Sequence, residues 1–219
     1  MLDASDYGPG EQSFLAARTM APQAALAAAC LAATGCHGYL VGAGYALHAP
    51  GAALVDPARP EITVEIDRDL DEAALAPFGL VLSQLRRPGA GTDGPLPARA
   101  AIAVLGLRLG LLARMLDTSY AHLEGRSSFG QRLIHQPLIK GQFAASGALM
   151  TRVRAELQQG PSAGPAWVHA LHDEIDRHSA QAAKLMGGHG FLEGSVNSLE
   201  YLSSLVRAAL APRHDSRAG

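Results

Sequence analysis

The sequence has little of what usually marks a specialised class of protein. Its 219 residues include two cysteines and 5% aromatic residues, and no apolar run approaches the roughly 20 residues of a membrane span. Cys30 and Cys36 suit neither a disulfide framework nor a zinc site, so we expect two reduced, buried thiols. Eighteen basic against twenty acidic residues give a formal net charge of −2, which argues against a nucleic-acid partner.

The first residues lack the features of a secretory signal. Residues 1–12 have neither the basic start nor the apolar stretch of a signal peptide. We therefore expect a cytoplasmic protein without a membrane partner. Lysine is almost absent and alanine is abundant, a bias typical of GC-rich bacterial genomes. Because alanine and leucine are strong helix formers, the composition favours a mainly α protein.

Residues 1–95 are predicted to form a reduced N-terminal segment of one helix, short strands and loops. The alanine-rich helix is expected over Glu11–Ala33, kinked or divided at Pro22 and ended by Gly35. Residues 35–60 are rich in glycine and proline, which indicates loops with short pieces of structure.

Two strands and a linker are predicted in the rest of this segment. Polar and apolar residues alternate over Glu61–Asp67, which is typical of a half-buried strand. The apolar run Gly79–Leu85 could pair with it. Residues 87–95 form a glycine- and proline-rich linker, the clearest boundary in the chain.

Residues 96–212 are predicted to form a four-helix bundle domain, followed by a frayed tail over 213–219. Apolar residues recur at helical spacing in four segments joined by short connections, and such segments pack as a bundle. The four helices are expected over residues 97–123, 137–157, 167–186 and 196–210.

The connection between the first two bundle helices reads Arg126-Ser-Ser-Phe-Gly130, followed by Gln136. In one interpretation these residues only turn the chain, with Phe129 in the core and Arg126 in solvent. In the other they bind a diphosphate, because a helix N-terminus offers free backbone N–H groups and an arginine pairs well with phosphate. The residues alone leave both interpretations open.

A second motif, Gly187-Gly-His-Gly-Phe191, lies between the third and fourth bundle helices. It could be no more than a glycine-rich helix end. Alternatively, its three glycines, Gly187, Gly188 and Gly190, let the backbone approach a ligand closely and present amides to an anion.

Four polar residues of the third helix share one face, at the spacing i, i+3, i+4 and i+7: His169, His172, Asp173 and Asp176. Helix bundles build metal sites from such faces, but no second helix offers a Glu-x-x-His. We therefore predict a solvated polar face and no metal. The sequence also lacks a G-x-S-x-G elbow, a P-loop and a dinucleotide fingerprint.

Taken together in their helical frame, the two glycine-containing motifs resemble the C-terminal helical domain of acyl-CoA dehydrogenases. That family has R-x-[ST]-F-G, then a glutamine, then GG-x-G-[YF]. Gly110 and Asp117 also lie at matching distances from Arg126. The resemblance covers about residues 97–205. It implies a mainly α fold, with a C-terminal four-helix bundle of acyl-CoA dehydrogenase type and a small N-terminal α+β segment.

The resemblance also implies FAD as cofactor, shared across a subunit interface. In the family the arginine, the hydroxyl residue and the GG-x-G turn reach the pyrophosphate and adenosine of the neighbouring subunit's flavin. Carried over, these roles fall on Arg126, Ser128, Phe129, Gln136, Gly187, Gly188 and Gly190.

The family's catalytic glutamate has no counterpart at the matching positions. One position falls in Leu210–Arg213 and the other near Ala100, and neither carries a carboxylate. Lys184 stands where the family commonly has a glutamine near the adenosine. Residues 1–95 are too few to hold the family's first two domains, so the resemblance implies a truncated member with an unidentified catalytic residue.

The leading hypothesis is a small acyl-CoA dehydrogenase-like subunit of a heteromer. It would complete the FAD site of a larger subunit that carries the base and oxidises an acyl thioester, on CoA or a carrier protein, to its α,β-unsaturated product. Self-association is a second possibility for the partner. Two alternatives stay open: a non-catalytic assembly subunit that has lost flavin, and a flavin-independent cyclase or isomerase using polar groups such as Tyr120, His135 or His189.

Overall fold

The computed structural model describes residues 7–86, 95–128, 130–159, 164–192 and 195–212. Within these residues the chain is mainly helical, with one small mixed sheet and one short hairpin. The α-helices are α1 Pro9–Thr19, α2 Pro22–Thr34, α3 Ala98–Glu124, α4 Pro137–Gln159, α5 Pro165–Leu185 and α6 Val196–Leu210. The strands are β1 Tyr39–Gly42, β2 Tyr45–His48, β3 Leu54–Val55, β4 Ile66–Leu70, β5 Val81–Leu85, β6 Ser127–Ser128 and β7 Gln131–Arg132.

The predicted four-helix bundle is confirmed as α3 to α6. The helical spacing of apolar residues found each of these helices to within about two residues at either end, the usual uncertainty of helix boundaries. The alanine-rich N-terminal helix is divided as expected. Pro22 opens α2 after a break at Met20 and Ala21, and Gly35 ends α2 with a φ of +76°.

The first helices share a core with the bundle. The α1 helix lies against α3 and also contacts α4, and Phe14 of α1 is buried in the same apolar cluster as Leu105 of α3 and Leu199 of α6. Helices from both sides of residue 95 thus contribute to one apolar cluster, and the division of the chain into two domains at that residue stays a prediction.

Two glycines let α1 and α3 approach backbone to backbone. A methyl group on Gly106 would lie 2.0 Å from the carbonyl oxygen of Gly10, and one on Gly110 would lie 2.3 Å from that of Phe14. Since real carbon–oxygen contacts never reach these distances, both positions require glycine for packing. Gly110, one of the residues that carried the family resemblance, thus has a structural reason to lack a side chain.

The N-terminal sheet has the strand order β3-β1-β2-β5-β4. The β1–β3 pair is parallel and the other pairs are antiparallel. β1 and β2 form a tight hairpin at Ala43 and Gly44, both with positive φ, as in a type I′ turn. Helices α2 and α6 pack on β1 and β2, so the sheet covers the C-terminal part of the last bundle helix.

The strand expected over Glu61–Asp67 has the wrong bounds, although its pairing with β5 is confirmed. The strand β4 begins only at Ile66 and continues to Leu70. It is an edge strand with a mostly exposed surface. The alternating polar and apolar residues that precede it do not extend its hydrogen-bonded pairing with β5. Val64 instead packs on a small apolar cluster on the outer side of the sheet, made of Val41, Ala46 and Leu85.

Among the described residues, no helix combines the length and apolar character needed to cross a membrane.

Cys30 is a free, buried thiol, and burial raises its pKa to about 11. Cys36 is also a free thiol but is half-buried, so the expectation of two buried thiols is wrong for this residue. The predicted linker 87–95, except for Pro95, and the predicted tail 213–219 lie outside the described residues.

Candidate functional site

The two glycine-containing motifs lie at the same end of the bundle. Helices α3 and α5 end there, and α4 and α6 begin there, as in a bundle of antiparallel neighbours. The connection from α3 to α4 carries the first motif and the connection from α5 to α6 carries the second.

The first connection is a short hairpin followed by a turn of 3-10 helix. Gly125 ends α3, and β6 and β7 then pair Ser127 with Arg132 and Ser128 with Gln131. After the 3-10 turn Leu133–His135, the carbonyl of Gln136 accepts the N–H of Lys140 and so begins α4. Phe129 lies outside the described residues.

The second connection is a 3-10 turn over Gly187–Phe191. Gly187 has a φ of +53°, and a methyl group added to Gly187 or Gly188 would meet nothing within 4 Å. A methyl group on Gly190 would lie 3.0 Å from Asn197 Oδ1. The turn therefore has one open side at Gly187 and Gly188 and one packed side at Gly190.

His122 joins the two connections. Its Nε2 accepts a hydrogen bond from Arg126 Nη1 at 3.0 Å, one helical turn further along the chain. Its ring centroid lies 4.8 Å from that of His189, at an interplanar angle of 45°. The guanidinium of Arg126 and the glycine turn are thus linked through a single side chain.

The charge at this end of the bundle is positive, in a chain whose formal net charge is −2. In the sequence of residues 120–140 and 184–195, four basic side chains accompany two carboxylates, Glu124 and Glu193; the basic residues are Arg126, Arg132, Lys140 and Lys184. Partial burial lowers the pKa of His122, and the charges of Arg126 and His189 lower it further. Such a surface favours an anion.

The predicted binding residues divide into two groups. Arg126, Gly187 and Gly188 are exposed at the linked connections, whereas Ser128 and Gln136 are half-buried on the first connection and Gly190 is buried in its packing role. The motifs did not single out His122, which lies in the last turn of α3, four residues before Arg126. The residues named for a cyclase or isomerase, Tyr120, His135 and His189, are all exposed.

The polar face of α5 is only partly solvated, contrary to the prediction, since Asp173 and Asp176 keep part of their side chains exposed. His172 is fully buried, and Arg108 of α3, also fully buried, donates from Nη1 to His172 Nδ1 at 2.8 Å. Arg108 also pairs with Asp176 and donates from Nε to the carbonyl of Ser203 at 3.0 Å.

Helix α6 adds a second arginine to this network. Arg207 pairs with Asp176 and, at 2.6 Å, with Asp173. Two arginines from neighbouring helices thus satisfy carboxylates that the sequence pattern placed in water. Among the described residues, no group of three or more His, Cys, Asp and Glu side chains is arranged to hold a metal ion.

Comparison with known proteins gives a likeness in structure only. No protein-family model matches the sequence, and no curated protein matches it significantly. Among solved structures, butyryl-CoA dehydrogenase from Megasphaera elsdenii has a TM-score of 0.50 and 14% identity, over 74% of this chain and 50% of that one. FkbI, a protein for biosynthesis of the methoxymalonyl extender unit of FK520, has a TM-score of 0.48 and 19% identity. The match covers 77% of this chain and 59% of FkbI. The electron transferring flavoprotein of Acidaminococcus fermentans has a TM-score of 0.43 and 11% identity, over 77% and 58%.

The fold expected from the two motifs is therefore confirmed. About three quarters of this chain superimposes on the butyryl-CoA dehydrogenase structure. The chain spans between half and three fifths of the length of these three proteins.

Proposed function

We propose that this chain completes a flavin site at a subunit interface, as the smaller subunit of an acyl-CoA dehydrogenase-like enzyme. Arg126 and the turn over Gly187–Phe191 would hold the diphosphate of an FAD whose flavin ring lies in a partner chain. The observation that supports this most is the link from Arg126 through His122 to His189, because it brings two distant motifs to one surface.

The donors at this surface fit a diphosphate. An exposed guanidinium forms charge-assisted hydrogen bonds to phosphate oxygens, and the open side of Gly187 and Gly188 lets a ligand approach the backbone. The first turn of α4 adds free backbone N–H groups, and the surrounding basic residues add long-range attraction. Ser128 and Gln136 are positioned on the same connection to contribute polar groups.

The chemistry of the complex would be shared between the two chains. Bound FAD would supply the hydride acceptor for oxidising an acyl thioester to its α,β-unsaturated product. This chain has no carboxylate at Ala100 or over Leu210–Pro212, the described positions at which the family resemblance would place one. The partner would therefore hold the base that removes the α-proton, and this chain would bind and orient the cofactor.

Large apolar side chains around the site support a covering partner. Leu138 in the first turn of α4 is 77% exposed and Leu192 after the glycine turn is 63% exposed. Tyr120 on α3, 47% exposed, lies edge-on against Phe143 of α4 at 5.8 Å. Exposed apolar groups next to a polar site are typical of an interface. A second copy of this chain is the alternative partner.

The same apolar groups favour one other function, that of an assembly subunit which binds its partner without flavin. The two proposals differ in what Arg126 does. An assembly subunit would need Tyr120, Leu138 and Leu192 for the partner, and its complex would be indifferent to the charge at position 126.

The test is to co-express the chain with candidate partner proteins, purify the complex and measure bound flavin by absorbance. We expect a yellow complex from the natural sequence, and a complex with at least ten-fold less flavin from Arg126→Ala. Arg86→Ala is the matched control, because it removes an exposed arginine that directly follows β5 and belongs to neither connection. Unchanged flavin in Arg126→Ala, or a colourless natural complex, would contradict the proposal.

A further inference from the structure

Two histidines and an arginine form a compact group at the proposed site. His122 Nε2 accepts from Arg126 at 3.0 Å, so this ring nitrogen carries no proton in the arrangement described. The His189 ring lies 4.8 Å away, on a turn whose backbone faces the open side of the site.

The hydrogen bond from Arg126 requires a neutral His122 ring. Protonation of His122 at Nε2 would turn the acceptor into a donor and break its hydrogen bond with Arg126. It would also place two or three positive charges within a few ångströms of one another. Among the described residues, the charged or titratable groups that act on the His122 ring are Arg126 from the connection after α3 and His189 from the turn after α5.

A bound dianion reverses this balance. Each imidazolium gains a strong charge-assisted hydrogen bond or ion pair with phosphate oxygens, and the mutual repulsion of the cations is offset. Protonation of His122 then frees the Arg126 guanidinium to donate to the anion. Protonation of His122 and binding of the anion therefore favour each other.

We infer that His122 and His189 are binding residues of the site, and that a diphosphate diester binds together with a proton, which moves Arg126 from His122 onto the anion. This inference rests on the proposed function, since it takes the ligand to be the diphosphate of a dinucleotide. It adds two ligand residues and makes binding depend on pH in the physiological range.

The direct probe is the dimethyl diester of diphosphate, whose own charge is constant over the range in which histidine titrates. The full-length chain is titrated with this diester at about pH 6 and about pH 8, either side of the usual histidine pKa. NMR signals of the imidazole Cε1 protons report binding even when it is weak. Calorimetry in buffers of different ionisation enthalpy measures the protons taken up.

We expect the diester to bind about ten-fold more tightly at the lower pH, with uptake of close to one proton and a raised pKa of His122. In His122→Gln the amide still accepts from Arg126 but does not titrate, so most of the pH dependence of binding should be lost. In His122→Ala no ring titrates beside Arg126 and none holds it, so the pH dependence should be lost here as well. His37→Gln, an exposed histidine outside both connections, is the control and should change nothing.

The outcomes separate the two claims. Binding without proton uptake, or a pH dependence that persists in His122→Gln, would overturn the inference and leave the flavin proposal standing. Failure of the diester to bind at either pH would overturn the inference as well. A colourless co-purified complex with normal proton-coupled binding of the diester would overturn the flavin proposal alone.

Discussion

The imidazole rings of His122 and His189 lie 4.8 Å apart, although His122 is in the last turn of the long helix α3 and His189 is in the turn that follows α5. This contact brings the connection after α3, which carries Arg126, next to the glycine turn after α5. Arg126, hydrogen-bonded to the first ring, is thereby held beside the glycine turn that contains the second.

A bulky residue at Gly188 should remove cofactor binding without affecting folding. A methyl group there meets nothing within 4 Å, so Gly188→Val fits the free chain but fills the space through which a ligand reaches the turn. We expect an unchanged melting temperature and at least ten-fold less flavin in the co-purified complex.

Gly8→Val is the matched control for this variant. Gly8 is exposed, has extended backbone angles, and is equally free of neighbours. Flavin loss in both variants, or in neither, would argue against an opening for a ligand at Gly188.

Alanine at Gly106 should destabilise the fold, because its methyl group would overlap the carbonyl oxygen of Gly10. We expect the free energy of unfolding to fall by about 1–3 kcal/mol or more, as for other overpacked cores. Gly141→Ala on α4 is the control: its methyl group meets nothing, and replacing a helical glycine should stabilise by up to about 1 kcal/mol. Urea denaturation of both variants measures these changes, and equal stability of the two would be inconsistent with the close α1–α3 contact.

Removing the buried arginine should cost far more than removing an exposed one. Arg108→Met leaves His172 and Ser203 without their donor and Asp176 with only Arg207, so we expect a loss of about 3–5 kcal/mol in unfolding free energy. Arg18 pairs with Asp117 at the surface, where both side chains are largely exposed, and Arg18→Met should cost less than about 1 kcal/mol. Similar losses from the two substitutions in urea denaturation would mean that the Arg108 network is not buried.

Stability should fall as the pH drops below the ordinary pKa of histidine. Burial, followed by the charges of Arg108 and Arg207, keeps the pKa of His172 in the folded chain well below its usual value, while Asp173 opposes this and His169 adds to it. The unfolded chain therefore binds the proton first. Above about pH 6.5 the ring is neutral in both states and the free energy of unfolding does not depend on it. As the pH falls below that value, the free energy of unfolding decreases by up to about 1.4 kcal/mol per pH unit.

The check is urea denaturation at several pH values between about 5 and about 7, on either side of the onset expected from the histidine pKa. His172→Asn keeps a polar side chain but cannot titrate, so its stability should change less over this range. Parallel curves for the natural chain and the variant would assign the pH dependence to other groups.

Much of the helical framework could be predicted, because each bundle helix has its own apolar stripe and its own stop signal. The sheet was harder. Among the described strands β4 pairs with β5, beginning at Ile66, and no local pattern in residues 61–65 encodes where that pairing starts. The polar face of α5 was assigned to solvent because its partners, Arg108 and Arg207, lie on two other helices. The sequence signal for this buried network was Arg108, a single arginine within the apolar stretch 102–113.

The candidate site could be predicted in part. Arg126 and the glycine turn were identified as motifs, and their common end of the bundle follows from helix order. The contact between them depends on His122, which matches no motif and becomes visible only when α3 and the turn after α5 are placed in space.

The central claim is that Arg126 and the glycine turn contact the same bound diphosphate. A double-mutant cycle on the reconstituted complex tests it most directly, with the dissociation constant of FAD measured for the natural chain, Arg126→Ala, Gly188→Val and the double variant. If both sites contact one diphosphate, the second substitution should cost less after the first, with a coupling energy of about 0.5–3 kcal/mol. Strictly additive losses, or no loss from either single variant, would contradict the account.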